Sequence, residues 1–121
     1  MQIRGLVWLG TATDRFAESV RFFRDVLQLP VVVDERGFVA LRLPDASLVE
    51  VFARDSPYAR QHESGPVAGF LVDDVEAARD ELAAAGVELL GEIETSDDYR
   101  WQYFRAPDGN VYEITSGPYE R

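Results

Sequence analysis

A segment near the end of the chain, Pro107-Asp108-Gly109-Asn110-Val111-Tyr112-Glu113-Ile114, has a counterpart 63 residues earlier, Pro44-Asp45-Ala46-Ser47-Leu48-Val49-Glu50-Val51. Each copy opens with turn chemistry. Proline presets φ, the aspartate side chain can bond its own backbone, and in the later copy Gly109 accepts positive φ. A β-branched or aromatic run follows, with a glutamate five residues after the aspartate. A repeat at about half the chain length predicts two similar modules, each ending in a strand that carries a glutamate.

The rest of the chain fits that plan twice over. Residues 3–11 form a short apolar run bounded by glycine, the signature of a buried strand. Thr13 or Asp14 is placed to cap a helix whose apolar stripe is Phe16, Val20, Phe23 and Leu27, and Pro30 stops it near Gln28. Residues 31–33, 38–43 and 48–52 follow as strands. The second half repeats the order. Residues 67–72 are a strand. Asp73 or Asp74 caps a helix with apolar positions Val75, Ala78, Leu82 and Ala85, and Gly86 ends it. Residues 88–92, 101–105 and 110–115 are strands. The expected fold is α+β: two βαβββ modules forming a curved mixed sheet with a helix behind each half. Module one spans 1–53, a charged linker spans 54–66 and module two spans 67–116, all in one domain. Neither module alone can bury enough surface to be stable. The polar tail, 116–121, is expected to fray. With the convex face covered by helices, the concave cup is left to a ligand or a partner.

Composition removes several classes of function. The net charge of −10 argues against nucleic acid, which needs a basic face, and favours a cationic ligand or simple solubility. The absence of cysteine removes disulfides, zinc-thiolate centres and thiol nucleophiles together. No apolar run reaches about 18 residues, so no membrane span is expected. No charged-then-apolar leader opens the chain, and the cytoplasm is the expected compartment. The only histidine, His62, sits in the linker without ligand-type spacing and reads as a solvated loop residue.

Strand parity then points to a site. Side chains two apart share a face. Val49 with Val51 and Tyr112 with Ile114 are the apolar sets suited to the helices, which turns Glu50, Phe52 and Glu113 into the cup. If Tyr103 points inward, Trp101 does too. Two carboxylates facing each other at about 6 Å repel by roughly 3 kcal/mol at an effective dielectric near 20. They need a cation, a shared proton, water or an arginine, for which Arg42, Arg100 and Arg105 are at hand.

The paired plan, the run Phe22-Phe23-Arg24-Asp25-Val26-Leu27-Gln28-Leu29, the joint Phe70-Leu71-Val72-Asp73-Asp74-Val75, and the segment from Arg105 through Pro107-Asp108-Gly109 to Glu113 together resemble the vicinal oxygen chelate superfamily. That group includes glyoxalase I, fosfomycin-resistance enzymes, extradiol dioxygenases and bleomycin-resistance proteins. The resemblance covers residues 1–116. It implies a metal-ligand position on the first strand of each module and a glutamate on later strands, which Glu50 and Glu113 match. The first-strand positions fall on Trp8 or Val7 and on Val67 or Ala68, none of which coordinates a metal. No metal or other cofactor is therefore expected, although two carboxylates and waters suit a hard divalent ion. The resemblance implies a metal-free protein that holds a small organic molecule, cationic or aromatic, in an acidic aromatic cup, in the manner of bleomycin-resistance proteins. Trp8, Phe52, Val67, Trp101, Tyr103, Glu50 and Glu113 are its expected ligand contacts. The alternative is a lyase or isomerase, such as a glyoxalase, using Glu50 or Glu113 as base or metal ligand. Family members usually pair, so a homodimer is also implied.

Overall fold

The computed structural model describes residues 1–63 and 65–120. Ser64, within the expected linker, and Arg121, at the end of the expected tail, lie outside the described residues. The order of elements is β1 (Gly5–Thr13), α1 (Phe16–Arg21), a π-helical turn (Phe22–Val26), β2 (Val31–Glu35), β3 (Phe38–Arg42) and β4 (Leu48–Ala53). A 3₁₀ turn (Pro57–Ala59), β5 (Val67–Leu71), α2 (Val75–Ala84), β6 (Glu88–Ser96), β7 (Tyr99–Arg105) and β8 (Val111–Ser116) follow. This is the α+β arrangement of two βαβββ modules. The strands of the first hydrogen-bond in the order β2-β3-β4-β1 and those of the second in the order β5-β8-β7-β6. Each set is mixed: β1–β4 and β5–β8 are parallel, and the remaining pairs are antiparallel. No helix among the described residues is long and apolar enough to cross a membrane.

The chain divides into two compact units. One comprises Trp8–Pro66, and the other joins Met1–Val7 to Val67–Glu120. The linker thus clusters with the first module, and the first seven residues with the second. Arg4 shows how the latter are held: its N–H donates to the Leu71 carbonyl at 2.8 Å and its guanidinium pairs with Asp73 at 2.9 Å.

The repeated turn is the same structure twice. The Ala46 N–H donates to Leu43, and the Gly109 N–H to Ala106, both at 2.9 Å. The Asp45 carboxylate accepts from the Ser47 N–H, and that of Asp108 from the Asn110 N–H, again both at 2.9 Å. The left-handed position is Gly109 (φ 87°) in one copy and Ala46 (φ 73°) in the other.

In the first unit Val20, Val39, Leu41, Val49 and Val51 form the core, with Phe16, Phe23, Leu29 and Leu43 packed on it. Leu27, expected on that stripe, is 49 % exposed. The i→i+5 turn over Phe22–Val26 adds a residue to the helix, so the next apolar position to reach the core is Leu29. The helix start also differs from expectation. Arg15 is the N-cap with no side-chain cap bond, while Thr13 Oγ1 accepts from the Arg15 N–H at 2.9 Å.

In the second unit Val72, Val75, Ala78 and Ile114 are the core, with Leu82, Ile93 and Phe104 against it. Asp74 caps α2, accepting from the Ala77 N–H at 3.1 Å. Gly86 (φ 81°) follows the C-cap residue Ala85, where a left-handed residue ends a helix cheaply. Ala85 itself is exposed. The register of β6 on β7 shifts between Leu90 and Glu94. Gln102 serves that irregularity: its Nε2 donates to the carbonyls of Leu90 and Gly91, and its Oε1 accepts from Arg79 at 2.9 Å. Within the described part of the tail, Tyr119 is held, contrary to the expected fraying. The hydroxyls of Tyr119 and Thr115 lie 2.7 Å apart, and the Tyr119 ring meets Tyr99 edge-on at 5.0 Å.

Candidate functional site

In the first unit the register fixes which residues share the face of Glu50. Directly opposed residues point the same way, and Glu50 pairs with Gly10 on β1 and Ala40 on β3. Trp8, Phe52 and Phe38 therefore stand on the Glu50 face, whereas Val49 and Val51 belong to the opposite, helix-facing side, and Val7 has the opposite parity to Trp8 on β1. Phe52 stacks on Phe38 at 5.1 Å and packs with Ala12 and Ala59. Small residues on both neighbouring strands and aromatic rings on the rest leave the Glu50 carboxyl in apolar surroundings. Burial pushes it up from 4.5 to about 7, with no guanidinium contributing. Arg42 lies on the same face but does not offset that desolvation.

His62 is a correction to the sequence reading. It is 1 % exposed, not solvated. Its ring lies nearly parallel to that of Trp8 with centroids 6.0 Å apart, and meets the Phe52 ring at 5.0 Å. Burial lowers the imidazole from 6.5 to about 4, against the opposing effect of a hydrogen bond to the Gly10 backbone. The linker's polar composition hid this placement. The usable signal was Gly10 itself, because a glycine in the interior of an apolar strand marks the close approach of another group.

In the second unit Glu113 pairs with Gly69 on β5 and Tyr103 on β7, and Thr115 with Trp101. Val67, two residues before Gly69, shares that face, and Ala68 lies on the other. Glu113 is 2 % exposed and Tyr103 is also buried, while Trp101 is half-buried. The other arginines are engaged elsewhere: Arg100 with Glu76, and Arg105 with Glu88 at 3.5 Å and the Gly109 carbonyl at 2.9 Å. Tyr112, expected against the helix, stacks between Phe70 and Phe104 and donates to Asp108 at 2.8 Å. The structure thus gathers Trp8, Glu50 and Phe52 in one unit and Val67, Trp101, Tyr103 and Glu113 in the other.

The donor set does not fit a metal. The first-strand residues on the two glutamate faces are Trp8 and Val67, and no group of three or more acidic, histidine or cysteine side chains is placed to hold an ion among the described residues. An accessible carboxyl that titrates near neutrality beside aromatic walls can do two things: bind an organic cation, or accept a proton.

A family model described as the Glyoxalase/Bleomycin resistance protein/Dioxygenase superfamily matches residues 5–114. No curated protein has a matching sequence. Among solved structures, methylmalonyl-CoA epimerase from Mycobacterium tuberculosis is 22 % identical with a TM-score of 0.75, over 96 % of this chain and 89 % of its own. A glyoxalase/bleomycin resistance protein/dioxygenase superfamily member from Vibrio splendidus 12B01 is 22 % identical with a TM-score of 0.68, over 95 % of this chain and 99 % of its own. The Mn(II)-bound glyoxalase from Novosphingobium aromaticivorans is 19 % identical with a TM-score of 0.74, over 99 % of this chain but 42 % of its own. At these identities the likeness speaks to fold alone.

Proposed function

Because the chain belongs to the glyoxalase/bleomycin resistance protein/dioxygenase superfamily, whose fold serves many chemistries, we propose that it binds a small aromatic or cationic organic molecule on the Glu50 face without a metal. One observation carries this reading: a carboxyl pushed up to about 7 by apolar surroundings, with Trp8 and Phe52 on the same face. A bound organic cation would restore the charge that burial disfavours, and the rings would hold its flat body. The chain's charge of −10 favours encounter with such a ligand. Glu113, 2 % exposed, is in this reading the structural partner of the pair and Glu50 the contact.

The planar cation proflavine is a direct probe. Binding should quench Trp8 in a Trp101→Phe background, and should release protons near pH 6 as Glu50 ionises, seen by calorimetry in buffers of different ionisation enthalpy. Glu50→Gln should weaken binding about tenfold, the equivalent of one charge-assisted contact. No quenching and no heat from proflavine or other organic cations, with the protein folded, would end this reading.

A second reading has its own support, since a base that titrates near pH 7 suits proton abstraction at neutral pH. Turnover of the methylglyoxal–glutathione adduct, abolished by Glu50→Gln, would favour a lyase or isomerase. Turnover untouched by that variant would exclude Glu50 as the base.

A further inference from the structure

The ring of His62 fills a place that β1 leaves open for it. A Cβ at position 10 would clash with Trp8 Cζ3 and lie 2.6 Å from His62 Cε1, so any residue but glycine would push apart the two rings that meet there. The ring is held as a flat heterocycle is held: Trp8 nearly parallel on one side, Phe52 at an angle on another, and the Gly10 backbone close against its edge. Gly10 is the strand partner of Glu50, so the ring lies over the strand face that carries Glu50.

The segment that delivers the ring is short and mostly exposed. It is a single 3₁₀ turn, capped by Ser56 Oγ accepting from the Tyr58 N–H at 3.3 Å. From 57 to 62 only Ala59 and His62 are buried; Pro57, Tyr58 and Arg60 are exposed. A one-turn helix with two buried side chains belongs to the low-stability end of a fold and opens readily.

We propose that His62 is an internal stand-in for the ligand: the Glu50 face takes a planar nitrogen heterocycle of imidazole to benzimidazole size, stacked on Trp8 over Gly10, and that ligand enters by displacing the Ser56–His62 segment. This narrows the ligand class of the preceding section and rests on its reading of the Glu50 face. Stacking against Trp8 and Phe52 selects a flat π-system, the Gly10 backbone at the ring edge, which acts to raise the imidazole, favours a ring N–H there, and Glu50 lies on the same strand face.

Chemical complementation tests it. In a Trp101→Phe background at pH 8, where free imidazole is mostly neutral, His62→Gly should bind imidazole saturably. Trp8 fluorescence should change, the melting temperature should rise, and the apparent affinity should exceed that of the parent with His62 by at least tenfold. Equal affinity in the two proteins would overturn the proposal. A measurement on the unaltered chain needs no variant to fold. Titration with benzimidazole should move the His62 ring resonances to solvent-like positions and speed amide exchange across the Ser56–His62 segment, in step with occupancy. Absence of binding, or binding that leaves His62 unmoved, would likewise refute it. Proflavine binding that Glu50→Gln weakens about tenfold would survive either failure, so the stand-in idea can fall while the Glu50 site stands.

Discussion

Glu50→Gln should stabilise the protein above pH 7 and leave it unchanged below pH 4.5. The unfolded chain ionises this carboxyl from 4.5, the folded chain only from about 7. Below 4.5 both are neutral. As pH rises between these values, ionisation favours the unfolded chain, so the stability present at low pH is lost on passing the folded value. A shift of this size corresponds to about 3 kcal/mol, an upper figure because the side chain keeps some solvent contact. His62 runs the other way. Its imidazole protonates at 6.5 when unfolded and at about 4 when folded, so its contribution is complete above 6.5 and is lost as pH falls, again by about 3 kcal/mol. Between roughly pH 4.5 and 6.5 the two dependences oppose each other. Removing Glu50 exposes the histidine's slope and should make the variant the more acid-sensitive protein. Urea unfolding of both proteins at half-unit steps from pH 4.5 to 8 gives the difference directly. A difference that stays constant with pH, or that grows toward acid, would show that Glu50 is not desolvated as described.

Other outcomes follow from particular contacts. Gly109→Ala should cost about 1–2 kcal/mol, because φ at that position is 87° and left-handed backbone is unfavourable for a residue with a Cβ. Ala46→Gly, in the matching turn at φ 73°, should be neutral to stabilising by up to about 1 kcal/mol, as strain relief outweighs the added freedom of the unfolded chain. Chemical denaturation checks both. Asp74→Ala should cost about 1 kcal/mol through loss of the α2 cap, read as a lower melting temperature that Asp74→Ser largely restores. Tyr119→Phe should cost about 1 kcal/mol by leaving the buried Thr115 hydroxyl without this partner, and faster amide exchange in the tail would report it.

The repeat was legible because its turn chemistry is local. Proline, aspartate and glycine at fixed offsets specify a turn whatever surrounds them, and period two then assigns the faces of Glu50 and Glu113. What could not be read depended on groups distant in the chain. His62 is buried because Trp8 and a backbone without Cβ at Gly10 await it, and nothing in the linker's own composition says so. Gly117 admits Tyr99 close to its backbone in the same way, which folds back a tail that looked free. The extra residue of the π-turn was invisible because helical periodicity was read as uniform, and the exchange of Leu27 for Leu29 in the core is its consequence.

That π-turn leaves the first helix one residue longer than its path requires. The surplus puts Phe22, Val26 and Leu27 outward, at 48 %, 67 % and 49 % exposure, while the residues on either side keep their hold on the core. The helix thus carries its own slack: a length change of one residue there can be absorbed between two fixed ends, and the oily side chains at its surface are what that tolerance costs.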